Sequence, residues 1–292
     1  MSDVALHPTP GLRAAAAAQL KAVGLAVRRE VLVAAILFGG ILLFTVLYAL
    51  GKGESMGLGH IGGPGVLVGL AAFLFPVAVW KDEERFGLST LWTLPVDHTR
   101  HALLKVAAGW VWVMGLTIAL MLSLILGVLI TGGSLGVETT RLVLDVSAPS
   151  GMRTVEWSTP WWQWLVPFCA ASTTYLLGSA LVLAADHPWR WILGAILVFW
   201  LLGFMGDEGE VEWMYWAFEH LLFQVGFGQY GLEPLLTSGT ESIQHRFHLP
   251  SGESVVGWRE LPSIGRWAGA VGLWSAIGLA GLFAATWRHR ER

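Results

Sequence analysis

The chain lacks asparagine, has a single cysteine and carries few charges. None of its 292 residues is Asn, which excludes Asn-linked glycosylation. Cys169, the one cysteine, lies in an apolar run and permits neither a disulfide framework nor a cysteine-based zinc site. Charged residues make up 13% of the chain and hydrophobic residues 54%, against about 25% and 45–50% in soluble domains. The composition therefore predicts an integral membrane protein.

Sequence motifs for nucleotide binding and catalysis are also missing. The chain has no G-x-x-x-x-G-K-[ST], so it cannot hold nucleotide phosphates in a P-loop, and it has no H-E-x-x-H. Residues 132–136 match G-x-S-x-G, but they follow an apolar run, whereas that motif needs a strand, a turn and a helix. Asp97, His98 and His101 fit a solvated, charged helix start better than a metal site. We predict that the chain is not an enzyme by itself, holds no metal and binds no nucleic acid.

Six apolar stretches reach the roughly 20 residues that a helix needs to cross about 30 Å of hydrocarbon. We place these predicted spans at 31–50, 62–80, 106–130, 161–185, 189–205 and 265–287. The predicted fold is an all-α integral membrane protein in two parts, a cytoplasmic amphipathic segment at 1–30 and a six-span transmembrane domain at 31–292. The 17 Trp residues agree with this prediction, because Trp concentrates at membrane interfaces.

The distribution of basic residues predicts that both termini lie inside. In that orientation, six of the 18 Lys and Arg residues lie outside: Lys52, Arg141, Arg153, Arg246, Arg259 and Arg266. The other twelve (18 less 6) lie on the cytoplasmic side, where multi-pass proteins usually carry their excess of basic residues. Acidic residues clustered at 207–212 increase the difference between the two sides.

The segment before the first predicted span is rich in Ala and favours a helix. Within 11–30, apolar residues that include Leu20, Val23 and Val27 share one side, and basic residues mark a polar edge. A basic amphipathic helix of this kind is predicted to lie flat at the inner membrane interface. The alternative interpretation is a frayed cytoplasmic tail.

Two predicted outer segments, 131–160 and 206–264, are long enough to fold. Each contains a Pro-Ser-Gly turn, and the sequences PSGMRTVEW and PSGESVVGW share P-S-G-x-x-x-V-x-W. Alternating apolar and polar residues before the first turn indicate a strand. We predict two small outer β-hairpins that lie near each other and form a docking surface with Val155, Trp157, Val256 and Trp258. A chance match between turn sequences is the alternative.

No ionisable residue lies near the centre of a predicted span, which disfavours a pathway for a bare ion. The polarity of the spans is neutral, and Thr173, Thr174 and Tyr175 form a candidate translocation surface in the fourth span. Helix packing is the other role open to these residues. A passage of such weak polarity would suit an amphipathic or hydrophobic cargo.

The most informative stretch is a charged segment between two apolar runs, residues 81–105, which we call the island. Its sequence is KDEERFGLSTLWTLPVDHTRHALLK, with paired carboxylates at Glu83 and Glu84. The layout predicts a short amphipathic helix, a stop at Pro95 and a second helix that re-enters the membrane at Lys105. Such an element can carry force from a cytoplasmic partner into the spans. A merely solvated loop is the alternative.

The island and its setting resemble the membrane subunits of ABC-2 type transporters. The stretch EERFGLSTLWTLPV and Lys105 are similar to that family's Glu, Gly-Thr step, Leu-Pro-Val/Ile element and Lys between spans two and three. This chain departs from the family in having Leu-Ser-Thr where Gly-Thr is frequent and Asp97-His98 where Ser-Arg is usual. The similarity extends to the whole topology, from the amphipathic helix to the large segment between spans five and six, whose aromatic stretch 211–225 is expected to dip into the membrane or lie flat on it.

The resemblance implies a permease subunit of an ABC-2 type exporter, multi-pass in the plasma (inner) membrane of a prokaryote. It implies three partners: the lipid bilayer, a second permease copy or homologue, and a separate P-loop ATPase. ATP and magnesium would be held by the ATPase, with no cofactor on this chain. Pro95 would end the coupling helix, and the residues expected to contact the ATPase are Glu83, Glu84, Arg85, Phe86, Gly87 and Leu88. The alternative function is a non-transporting membrane anchor or assembly component that docks an extracytoplasmic partner.

Overall fold

A computed structural model describes the greater part of the chain. The described residues are 12–56, 62–81, 98–133, 135, 139–144, 152–157, 159–185, 187–208, 216, 220, 223–238, 245–248, 254–257 and 262–290. Two helices form the amino-terminal part, α1 at Leu12–Ala26 and α2 at Arg28–Lys52. Because the backbone turns at Val27, α1 and α2 are separate helices, and α2 begins at Arg28 rather than at residue 31.

Five further long helices follow the remaining predicted spans. They are α3 at Gly62–Trp80, α4 at His98–Ile130, α5 at Val166–Ala184, α6 at Pro188–Glu208 and α9 at Ile264–Arg290. A short 3-10 helix at Trp161–Leu165 leads into α5. α4 begins at His98 rather than at residue 106, so the last part of the island and the third span belong to one continuous helix.

Four of the described helices are long and apolar enough to cross a membrane. They cover Arg28–Lys52, Thr99–Ile130, Trp161–Ala184 and Ile264–Trp287, whereas Pro64–Trp80 and Pro188–Val198 are shorter apolar helices. This length and composition are those of a multi-pass membrane protein. Six spans and their orientation stay predictions.

α5 lies at the centre of the helical bundle. Of the apolar stretch within Trp161–Ala184, which includes α5, 61% is buried inside the protein. The buried share of the apolar stretch of α2 is 6%. α3 approaches α5 so closely that a Cβ added at Gly178 would lie 2.1 Å from the carbonyl oxygen of Phe73. On another side of α5, a Cβ added at Gly278 of α9 would lie 3.0 Å from the Cβ of Leu176. Small residues permit this close approach between helices.

α2 and α6 lie at the periphery of the bundle. Large apolar side chains are exposed along both helices, including Phe44 on α2 and Trp191 on α6. Exposed apolar surface of this extent is rare on soluble monomers and is typical of a surface that meets lipid or another protein.

In the part of the chain that the structure describes, four strands form two antiparallel pairs. β1 at Thr139–Leu144 pairs with β2 at Met152–Trp157, and β3 at His245–His248 pairs with β4 at Ser254–Gly257. β1 also lies beside β4, so the two pairs are neighbours. Each strand lies within a stretch that was predicted to form a hairpin, but the Pro-Ser-Gly turns lie outside the described residues. The hairpins and the side of the membrane on which they lie stay predictions.

Among the described residues before the second strand pair, two short helices occur, α7 at Gln224–Phe227 and α8 at Leu232–Thr237. α8 is buried among α3, α5 and α9. A Cβ added at Gly65 of α3 would lie 2.2 Å from the carbonyl oxygen of Leu236, so glycine lets α8 pack against the backbone of α3. Most of the aromatic stretch at 211–225 lies outside the described residues, and the buried helix follows it in the sequence.

Candidate coupling junction

The predicted ATPase contacts lie outside the described residues. This applies to Glu83, Glu84, Arg85, Phe86, Gly87 and Leu88, and also to Pro95. The structure does describe both flanks of that segment, the end of α3 with Lys81 and the start of α4. These flanks, together with α1 and the start of α2, form what we call the coupling junction.

Lys105 and Trp80 join the two flanks. The Nζ atom of Lys105 lies 4.4 Å from the centre of the Trp80 ring, a cation–π contact between α4 and α3. Lys105 is 6% exposed and Trp80 is 3% exposed, so the contact is shielded from solvent. A desolvated cation–π pair contributes about 2 kcal/mol or more. The pair therefore ties the helix that enters the island to the helix that leaves it.

A salt bridge fixes the first residue of the island to α2. The Nζ atom of Lys81 lies 2.6 Å from Oε1 of Glu30, which is in the first turn of α2. Both side chains are partly exposed, so the pair is open to screening by salt. A carboxylate in the first turn of a helix also interacts favourably with the helix dipole. Glu30 thus connects α2 with the start of the island.

α1 packs against the first half of α4. The indole Nε1 of Trp112 donates a hydrogen bond to the carbonyl oxygen of Leu20 over 3.0 Å. Within the island, Nδ1 of His101 is hydrogen-bonded to Nε2 of Gln19 at 3.1 Å. Val23 of α1 and Val27 at the break before α2 are each 1% exposed, as predicted, whereas Leu20, predicted on the same side, is 37% exposed. α1 is therefore docked on the bundle and is not a frayed tail.

Gly24 makes the close packing of α1 on α4 possible. A Cβ at this position would lie 2.6 Å from Cζ2 and 3.0 Å from Cε2 of Trp112. The indole thus occupies the space that any other residue at position 24 would fill. A glycine inside an otherwise Ala-rich helix is the signal in the sequence that could have indicated this close packing.

The arrangement gives the island two fixed ends. One end is tied to α2 through Lys81 and Glu30, and the other is tied to α1 through His101 and Gln19. Lys105 and Trp80 join the two ends to each other. α4 is continuous from His98 to Ile130, so the last residues of the island and the third predicted span belong to the same helix.

The candidate translocation residues lie inside the bundle of this chain. Tyr175 donates a hydrogen bond to the carbonyl oxygen of Val106 over 2.9 Å, and Thr173 is bonded to Ser275 of α9 over 2.8 Å. Thr174 donates to the Ala170 carbonyl oxygen of its own helix. All three are buried. Their hydroxyl groups thus take part in packing contacts, and a role in translocation stays a prediction.

Three of the four predicted docking residues lie on the described strands. Val155 is paired with Arg141, and Val256 is paired with Arg246. Both of the valines matched in the sequence therefore sit opposite an arginine in an antiparallel pair. Trp157 is paired with Thr139, and Trp258 lies outside the described residues.

A buried polar cluster at the other end of the bundle was not predicted. Nε2 of Gln163 donates to Oγ of Ser238 over 3.0 Å, and Thr237 donates to Oε1 of Glu233 over 2.9 Å. All four residues are buried. Within the described part of the chain, no group of three or more His, Cys, Asp and Glu residues is placed to hold a metal ion.

Comparisons with known proteins found no relative of this chain. Neither family models nor curated proteins nor solved structures match it.

Proposed function

We propose that the chain is the membrane-spanning permease subunit of an ABC-2 type exporter. The observation that carries the proposal is the coupling junction. A charged segment with motif residues of that family emerges between α3 and α4, and each of its ends is bonded to an amino-terminal helix. These contacts would hold the two ends of a docking segment in place relative to the spans.

The membrane setting supports the same proposal. Four helices have the length and apolar character of spans, and α3 and α6 are further apolar helices in the positions of predicted spans two and five. In our proposal all six cross the membrane with both termini inside, which places the island in the cytoplasm. A cytoplasmic ATPase would then meet it directly.

In the proposal, this chain and a separate ATPase subunit have different tasks. The chain has no P-loop, so a separate subunit would bind ATP and magnesium and supply the energy of hydrolysis. This chain would supply the docking surface, with Glu83, Glu84 and Arg85 as charged contacts and Phe86 and Leu88 as an apolar anchor. The salt bridge at Lys81 and the contact between Lys105 and Trp80 would keep that surface in register with α3 and α4.

The cargo would be amphipathic or hydrophobic. The polar groups of α5 are neutral, and the hydroxyl groups of Thr173 and Tyr175 are engaged in contacts between helices. A bare ion would need charged or carbonyl-lined sites along its path. In the proposal a second permease copy completes the passage.

The proposal is tested by purifying the chain from its native membrane in mild detergent and identifying every copurifying protein by mass spectrometry. We expect a P-loop ATPase in an amount comparable to the permease, together with ATP hydrolysis that vanadate inhibits. Recovery of the chain without any ATPase, under conditions that keep other transporter complexes intact, would overturn the proposal.

A second candidate is a membrane anchor that docks an extracytoplasmic protein. The observation in its favour is that β1 lies beside β4, so two segments far apart in the sequence form one folded surface. The same purification separates the candidates, because an anchor would bring down an outer protein and no ATPase.

A further inference from the structure

Three of four consecutive hydroxyl groups on α5 bond to neighbouring helices. Ser172 accepts a hydrogen bond from Nε1 of Trp110 on α4 over 3.1 Å. Thr173 is bonded to Ser275 of α9, and Tyr175 donates to the Val106 carbonyl oxygen of α4. Thr174 differs, because it bonds within α5 to Ala170. This short segment therefore connects the helix that leaves the island with the last helix of the chain.

Tyr175 makes the most enclosed of these contacts. Its side chain is 0% exposed, and its ring lies 6.4 Å from that of Phe75 on α3. A phenol in such surroundings is costly unless its hydroxyl group has a partner, and here the partner is a backbone carbonyl of α4. A helix carbonyl can accept this second bond because it has two lone pairs.

A glycine on α4 creates the space for this hydroxyl group. A Cβ added at Gly109 would lie 2.1 Å from the OH and 3.0 Å from Cζ of Tyr175. Gly109 follows Val106 by one turn on the same face of the helix. The side chain of Tyr175 is therefore fitted to α4 by both shape and hydrogen bonding.

The contact is made beside the coupling junction. Val106 follows Lys105, whose ammonium group lies over the Trp80 ring. His101, a little over one turn earlier, is bonded to Gln19 of α1. The start of α4 is thus bonded to Tyr175 of α5, and Thr173 of the same helix is bonded to Ser275 of α9.

We propose that Tyr175 is a positioning residue that transmits movement of the island from α4 to α5 and α9. The inference rests on the proposed function, since it requires an ATPase that moves the island. Tyr175 would then couple the ATPase cycle to the helices around the passage without touching nucleotide or cargo. In this proposal the movement begins at the island, and the hydroxyl group of Tyr175 determines whether the movement reaches α5 and α9.

The test follows two helices separately during the ATPase cycle. Cys169 is the only cysteine, so Cys169→Ser gives a background in which one new cysteine carries an environment-sensitive fluorophore. The label is placed at the exposed Val111 of α4 or the exposed Ile277 of α9. The complex with its copurified ATPase is measured in lipid nanodiscs, without nucleotide and with ATP and vanadate.

With Tyr175 present, we expect trapping with vanadate to change the emission at both positions. Tyr175→Phe keeps the ring and removes only the hydroxyl group, so the change at 111 should persist while the change at 277 falls to less than half. Thr173→Val should give the same loss at 277. Thr174→Val is the matched control, because it removes a neighbouring hydroxyl group that bonds within α5, and both responses should remain.

Each other outcome decides against the inference. If Tyr175→Phe leaves the response at 277 intact, or if vanadate changes neither position when Tyr175 is present, Tyr175 does not transmit movement. A purely structural role would lower thermal stability in Tyr175→Phe and leave the ratio of the two responses unchanged. If no ATPase copurifies, the proposed function itself fails, which the purification shows before any label is attached.

Discussion

Gly24 and the indole of Trp112 occupy one shared space between α1 and α4. A Cβ on residue 24 would lie 2.6 Å from Cζ2 of Trp112, closer than real Cβ contacts come. The same indole donates a hydrogen bond to the Leu20 carbonyl oxygen one turn earlier in α1. One tryptophan therefore fixes both the distance and the register of α1 on the bundle.

Gly24→Leu should separate α1 from α4. The new side chain cannot share the space of a rigid indole, and overpacking of this kind costs about 1–3 kcal/mol. We expect amide hydrogen exchange across α1 to become roughly 5- to 140-fold faster, in line with that range. Ala22→Leu is the matched control, since Ala22 is an exposed residue of the same helix. Equal exchange in the two variants would show that the contact with Trp112 does not hold α1.

Gly178→Ala should destabilise the bundle. The methyl group would meet the backbone oxygen of Phe73 at 2.1 Å, and a backbone atom cannot move without moving α3. The cost of about 1–3 kcal/mol exceeds the gain of up to about 1 kcal/mol from replacing glycine in a helix. We expect a lower midpoint of thermal unfolding in detergent.

The control for this variant is Gly115→Ala on α4. Apart from its own helix, a Cβ there meets no described atom within 4 Å. Its unfolding midpoint should stay the same or rise. A fall in both variants would mean that glycine matters for a reason other than the contact between α3 and α5.

Lys105 and Trp80 should show a measurable coupling energy. Lys105→Met and Trp80→Leu each remove further contacts, so neither variant alone isolates the cation–π pair. A double-mutant cycle on the free energy of unfolding should give a coupling of about 0.5–2 kcal/mol. A coupling within error of zero would show that the ring and the ammonium group are neighbours without a stabilising interaction.

Exchange of the charges of Glu30 and Lys81 should be better tolerated than either single reversal. Glu30→Lys or Lys81→Glu alone places like charges where the salt bridge now holds the start of the island. We expect each to reduce the amount of ATPase that copurifies, and the double variant to restore much of it. The difference should shrink at high salt, because the pair is partly exposed. Failure of the double variant to recover ATPase would separate the salt bridge from the position of the island.

The long helices were predictable from the sequence because an uncharged run of about 20 residues has few alternatives to a helix. Their ends were less predictable. α4 starts at His98. Residues 98 to 105 carry charges, and yet they belong to the same helix as the apolar run that follows them. A division between the amphipathic segment and the first span was predicted at residue 31, and the structure places the break at Val27, where the sequence has neither Gly nor Pro.

The junction was only partly predictable. The charge of the island made it recognisable in the sequence. The contact that holds its second end was not recognisable, because Gln19 and His101 are far apart in the sequence and meet only when α1 packs on α4. Tyr175 was selected for its polarity in an apolar helix, and the structure adds that its hydroxyl group is bonded to α4. α8 was missed because six residues are too few to show a helical period.

The central claim is that an ATPase docks on the island and drives this chain. The most direct measurement is the amount of P-loop ATPase that copurifies with a variant carrying Glu83→Lys and Glu84→Lys, compared with Glu54→Lys, an exposed carboxylate beyond the opposite end of α2. We predict at least a tenfold loss of ATPase in the double variant, on the order expected for repulsive charges at an interface. The Glu54→Lys control should retain the ATPase. Both variants should unfold at the same temperature as the unaltered protein. Unchanged recovery of an ATPase with unchanged hydrolysis in the double variant would contradict the account.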